Sequence, residues 1–71
     1  MYYGELTKDQ ALEEMKAGKK VANQYFTQGE YLHVVDGVIT SEDGYDFSTW
    51  FNVIHRGEEW KLSGWRIWQA E

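Results

Sequence analysis

Tyr31-Leu32-His33-Val34-Val35-Asp36-Gly37-Val38-Ile39-Thr40 decides the fold. Two short runs of strand formers flank Asp-Gly, the dipeptide that accepts the positive φ angles of a two-residue type I′ turn, so the stretch reads as an antiparallel hairpin. Its register sets Val35 opposite Val38 and His33 opposite Thr40. A second Asp-Gly, Asp43-Gly44, predicts another return into Tyr45-Asp46-Phe47, with Thr40 opposite Phe47 and Glu42 opposite Tyr45. In that three-stranded meander Tyr31, His33, Val35, Val38, Tyr45 and Phe47 share one face, and Leu32, Val34 and Ile39 the other. Both faces are apolar, whereas an antiparallel sheet with one wet side alternates apolar and polar positions. A helix covers one face; the second calls for the C-terminal segment, another subunit or a ligand.

The helix is marked upstream. Thr7-Lys8-Asp9-Gln10 matches a capping box, Ala11, Leu12 and Met15 form an apolar stripe, and Gly18 supplies a left-handed position after the last turn. This predicts a helix over residues 8–17, too short to persist without a sheet beneath it. Lys19 to Phe26 reads as a strand through Val21 and Tyr25, followed by a loop at Thr27-Gln28-Gly29. Between residues 48 and 56 the spacing of Phe47, Trp50, Phe51 and Ile54 fits a helix with Ser48 as its cap, yet the same segment is rich in strand formers, and both readings stand. Arg56-Gly57-Glu58-Glu59 reads as a turn, Trp60-Lys61-Leu62 as a short extended piece, and Ser63-Gly64 as another turn. Trp65 to Gln69 alternates as a terminal strand, with Trp65, Ile67 and Gln69 on one side and Arg66 and Trp68 on the other. The expectation is a single α+β domain over residues 1–71. In it one N-terminal amphipathic helix packs on a small twisted antiparallel sheet with Asp-Gly hairpins.

Composition narrows the class of function. Seventy-one residues is near the lower limit for a core without staples, and there is no cysteine to supply a disulfide or a thiolate metal site. His33 and His55 are too far apart for a zinc motif, so no metal and no cofactor is expected. The N-terminus has neither the basic nor the apolar region of a signal peptide, and no run approaches a membrane span, which points to the cytoplasm. Twelve acidic against seven basic residues give a net charge of -5, which repels phosphate and argues against direct nucleic-acid binding. An acidic balance is also what a mimic of nucleic acid needs. There is no nucleophile elbow and no phosphate-binding glycine loop, and Gly18-Lys19-Lys20 follows a helix rather than opening one. The adjacent acidic pairs Glu13-Glu14, Glu42-Asp43 and Glu58-Glu59 do not face each other, so a binding protein is expected rather than an enzyme.

Four Trp, five Tyr and three Phe are many for so small an interior, so some are expected on a binding surface. The candidates are Asn23, Tyr25, Phe26, His33, Trp50, Arg56, Trp65 and Arg66, where ring faces stand among amide and guanidinium donors. Such a set suits a nucleotide-like ligand, Tyr25, Phe26, Trp50 and Trp65 stacking on a base while Arg56 or Arg66 meets phosphate. It equally suits a protein interface.

The order of features resembles the phage Thoeris anti-defence 2 family and its small relatives: the helix Asp9 to Val21 with Ala-Leu-x-x-Met-Lys-x-Gly-Lys-Lys-Val, a nearby aromatic, a Tyr-Leu strand, Asp-Gly-Val-Ile with a further Asp-Gly, and closing Gly-Trp-Arg-Ile-Trp. The resemblance spans most of the chain. It implies a small oligomeric α+β protein of phage or prophage that sequesters a cyclic nucleotide immune signal or, like a relative that inhibits Cas9, blocks a defence protein. Tyr25 or Phe26 then stands for the loop aromatic and Trp65 or Trp68 for the closing one. Where the family has basic residues and a Trp-Asn-Gly-Lys-Gly loop, this chain has Ala22-Asn23-Gln24-Tyr25-Phe26, so the resemblance implies the fold more directly than the nucleotide pocket. The resulting expectation is an anti-defence protein of the host cytosol, acting stoichiometrically and as a homo-oligomer. The alternatives are an acidic inhibitor of the anti-CRISPR or DNA-mimic type, seated in a nuclease's nucleic-acid site, and a phage structural or assembly protein.

Overall fold

Helix α1 (Lys8–Lys16) starts where its capping box stands: Thr7 Oγ1 accepts the Gln10 N–H at 3.2 Å and Gln10 Oε1 accepts the Thr7 N–H at 2.9 Å. It ends as the Lys19 N–H reaches the Glu14 carbonyl at 3.0 Å, with Gly18 at φ 95. The computed structural model describes residues 6–69. Strands β1 (Val21–Asn23), β2 (Leu32–Val35), β3 (Val38–Ser41) and β4 (Trp65–Ile67) form one antiparallel sheet in the order β3-β2-β1-β4. The fold is α+β. Val35 pairs with Val38 and His33 with Thr40, and Asp36 (φ 52) and Gly37 (φ 80) join the two strands. Ala11 and Met15 of α1 pack with Val21, Leu32, Ile39, Phe51 and Trp65 as the buried core.

The second Asp-Gly does not build a third strand of the meander. Gly44 (φ 88) donates to the Ser41 carbonyl at 3.0 Å while the Ser41 N–H donates to Tyr45 at 2.9 Å, so the loop has three residues, Glu42-Asp43-Gly44, and not two. This is the form in which a turn is followed by a left-handed bulge residue. Thr40 then sits opposite Asp46 in a single bridge rather than opposite Phe47. A one-residue slip exchanges faces: Phe47 leaves the face predicted to hold Tyr31 and His33 and packs on the core, where its ring lies 5.5 Å from Trp50, while Tyr45 is 67 % exposed.

Three further expectations are corrected. β1 stops at Asn23 instead of running through Tyr25, because Asn23 Oδ1 accepts the Tyr25 N–H at 3.1 Å and bends the chain. Residues 48–56 resolve into a short helix α2 (Ser48–Asn52) followed by non-helical chain. Ser48 is not its cap: Asp46 Oδ1 accepts the Ser48 N–H at 2.8 Å, and the Ser48 hydroxyl accepts the Ile39 N–H at 3.3 Å on β3's outer edge. Glu59–Leu62 is a 3₁₀ turn, not an extended piece.

β4 alternates as predicted from Trp65 to Trp68, but the strand ends at Ile67 and Gln69 is exposed beyond it. Trp65 and Ile67 pack toward the core, and Trp68 lies against Tyr31 with ring centroids 4.6 Å apart. The Trp68 indole donates to the Gln28 carbonyl at 3.0 Å, and Lys20 Nζ stands over the Tyr31 and Trp68 rings. Part of the second sheet face is thus covered by the C-terminal segment itself, which leaves Val35 and Val38 exposed. The face assignment has a direct test in urea denaturation. Phe47→Ala is expected to cost about 2 kcal/mol or more, as a core truncation does, and Val38→Ala under about 0.5 kcal/mol. Similar small losses at both positions would place Phe47 outside the core.

Candidate functional site

Five of the ten aromatic rings among the described residues serve the interior. Trp65 is fully buried, its indole N–H donates to the Lys61 carbonyl at 2.7 Å, and Phe51 and Phe26 meet it at 5.3 and 5.6 Å. Trp50 joins from α2, 6.1 Å from Phe26 and 6.2 Å from Trp60. The structure therefore brings Phe26, Trp50 and Trp65 together, but as packing partners meeting mostly at steep angles, not as a stacking platform. Asn23 is buried too, and its amide donates to the Ser63 carbonyl at 3.0 Å, tying the end of β1 to the turn before β4. Tyr25 is 67 % exposed and meets Trp60 edge-on at 5.4 Å.

The remaining candidates are dispersed. His33 and Arg66 lie on the sheet face away from α1: the His33 ring is 5.3 Å from Tyr31, and Arg66 pairs with Ala22 and donates to the Ile67 carbonyl at 3.4 Å. Together with Lys20, Tyr31 and Trp68 they make a face of rings and cationic groups. Arg56 stands exposed in the turn after α2.

Sequence reasoning misses Lys61. Its side chain is 2 % exposed, and its ammonium donates to the Trp50 carbonyl at 3.0 Å and to Glu58 Oε1 at 3.0 Å while lying 4.1 Å from the centroid of the Trp50 ring. A buried ammonium is tolerated when its donors are answered, and here a carbonyl, a carboxylate and a π face answer them. Glu58, three residues before Lys61, was the available signal, but it is a helical spacing and the segment reads as extended. The hydrogen bond from Lys61, followed by that from the His55 backbone N–H, holds the Glu58 carboxyl down to about 2 from its ordinary 4.5.

The charge distribution is the other feature outside the predicted set. Residues 21–55 contain five acidic residues, Glu30, Asp36, Glu42, Asp43 and Asp46, and no lysine or arginine, while the segments on either side are balanced. The whole net charge of -5 thus belongs to β2, β3 and their loops. Between these loops and α2 lies an open groove of about 270 Å³, with Phe26, Tyr31, Phe47 and Trp50 among its lining residues and Glu30, Glu42 and Asp43 joining them. Glu30 Oε1 accepts the Thr27 N–H at 2.7 Å and Glu42 Oε1 accepts the Tyr31 N–H at 3.3 Å, which orients both carboxylates.

No protein-family model, no curated protein and no solved structure matches this chain. Among the described residues no helix is long and apolar enough to cross a membrane.

The Glu58–Lys61 contact sets a pH dependence. Because the folded-state value lies below the unfolded one, the stabilisation is complete above about pH 4.5 and is lost as pH falls toward about 2. Thermal unfolding across that window is expected to show Tm falling less steeply for Glu58→Gln than for the parent chain, with the variant the less stable at pH 6. Parallel curves would remove Glu58 from the account.

Proposed function

We propose that this chain is a stoichiometric binding protein whose acidic β2–β3 half occupies a basic, nucleic-acid-binding surface on a partner protein. The anti-defence role implied by the resemblance to the Thoeris anti-defence 2 family makes that partner a bacterial defence protein, met in the host cytosol. The observation that carries this reading is the confinement of the whole net charge to residues 21–55. Segregated charge of one sign steers encounter with the opposite sign and excludes like-charged partners. Such a role needs no turnover.

Sequestration of a nucleotide-like signal is the second reading, and one observation favours it: His33, Arg66 and Lys20 share the open sheet face with Tyr31 and Trp68. Three of the four rings expected to stack on a base, Phe26, Trp50 and Trp65, are instead packed into or against the core, which weighs against it.

Fluorescence polarisation of a labelled oligo-arginine peptide separates the two. The acidic-surface reading expects binding that weakens about tenfold or more between low and physiological salt. Asp36→Asn with Asp43→Asn should weaken it further, whereas Glu13→Gln with Glu14→Gln on α1 should not. Equal losses from both pairs, or binding indifferent to salt, would contradict the acidic-surface reading. A thermal shift with a cyclic nucleotide that is abolished by Arg66→Gln would favour sequestration.

A further inference from the structure

The groove between the loop before β2, the Glu42-Asp43-Gly44 loop and α2 combines two properties that neither the core nor the rest of the acidic surface has together. Its walls are aromatic, and every ionisable group of full charge among its described lining residues is a carboxylate. An anionic ligand is repelled there. At about 270 Å³ the space lies below the roughly 300–1,000 Å³ of sites for drug-sized molecules, and so suits one side chain.

We infer that this groove receives a single arginine side chain presented by the partner protein. The inference rests on the reading above that the partner surface is basic. The charge complementarity selects a cation, and the rings select between cations: a guanidinium is planar, stacks on aromatic faces and bonds a carboxylate through two N–H groups, whereas an ammonium is a strongly hydrated point charge. Phe47 and Trp50 supply the rings, and Glu42 and Asp43 the acceptors. The loop carrying those acceptors is set in place before any ligand arrives. Ser41 Oγ accepts the Asp43 N–H at 3.3 Å and the Tyr45 N–H at 3.2 Å, and Glu42 is tied to the Tyr31 N–H. A site already ordered loses less entropy when it is filled. The same tryptophan already lies against one cation, Lys61, inside the fold.

The test is an NMR titration of the ¹⁵N-labelled chain with N-acetyl-arginine amide, its lysine counterpart and its neutral isostere, the citrulline derivative. Arginine is expected to shift the backbone resonances of Tyr31, Glu42 and Tyr45 and the Trp50 indole, saturably and at millimolar concentration. Lysine should act more weakly and citrulline not at all. Glu42→Gln with Asp43→Asn, which keeps an acceptor for the Tyr31 N–H, should lower the arginine affinity by about tenfold or more, equivalent to about 1.4 kcal/mol. Equal shifts from citrulline, shifts confined to other residues, or an unchanged affinity in the double variant would overturn the inference. If oligo-arginine still binds with strong salt dependence while the groove resonances stay still, the acidic surface stands and the arginine groove falls. If neither probe binds, both fall.

Discussion

The Trp65 indole meets the carbonyl of Lys61, and the ammonium of that same lysine returns to the carbonyl and the ring of Trp50. This pair of contacts joins β4, the 3₁₀ turn and α2, three short elements none of which has the length to persist alone. A chain of 71 residues without cysteine has no covalent staple, and burial in so small a body leaves little margin. Burying a cation there is destabilising unless its donors are matched, and removal of either partner would leave a polar group in the interior without its bond. This knot thus ties Trp50 and Trp65 to one lysine, Trp50 through its carbonyl and ring and Trp65 through its indole.

That constraint explains the division between interior and surface. Phe26, Phe47, Phe51, Trp50 and Trp65 close over α1 and the sheet, so the rings that composition marks as candidates for recognition are largely committed to packing. What remains for a partner is charge. The β2–β3 half carries the net negative charge, and the bulge at Gly44 turns the Glu42-Asp43 loop toward the groove beside α2. Phe47 and Trp50 line that groove while also packing against the core, so binding there and stability are coupled through the same two side chains.

Much of the fold was legible because the deciding signals are local. The Thr7–Gln10 capping box, the Val35–Val38 register and the alternation of Trp65 to Trp68 each follow from a few adjacent residues. The misreading at Asp43-Gly44 has a physical source: Asp-Gly serves both two-residue turns and three-residue loops with a bulge, and which forms depends on the Ser41 hydroxyl and the core position awaiting Phe47. Residues 48–56 were ambiguous because Trp50 and Phe51 suit helix and strand alike, and only packing against Lys61 and Trp65 decides. The candidate site was legible in part. His33 and Arg66 share a face only because β1 pairs with both β2 and β4, the packing of Asn23, Phe26 and Trp65 depends on tertiary contacts, and the one local sign for Lys61, Glu58 three residues before it, lies in a segment that reads as extended.

Hydrogen exchange at the indole N–H groups tests the knot most directly. The Trp65 indole, buried and bonded to Lys61, is predicted to exchange only through global unfolding, with protection matching the stability from urea denaturation. The Trp68 indole, bonded to Gln28 at the surface, should exchange far faster. Trp65 exchanging as readily as Trp68 would contradict the account, because the contact on which β4 and α2 depend would then open without unfolding the rest.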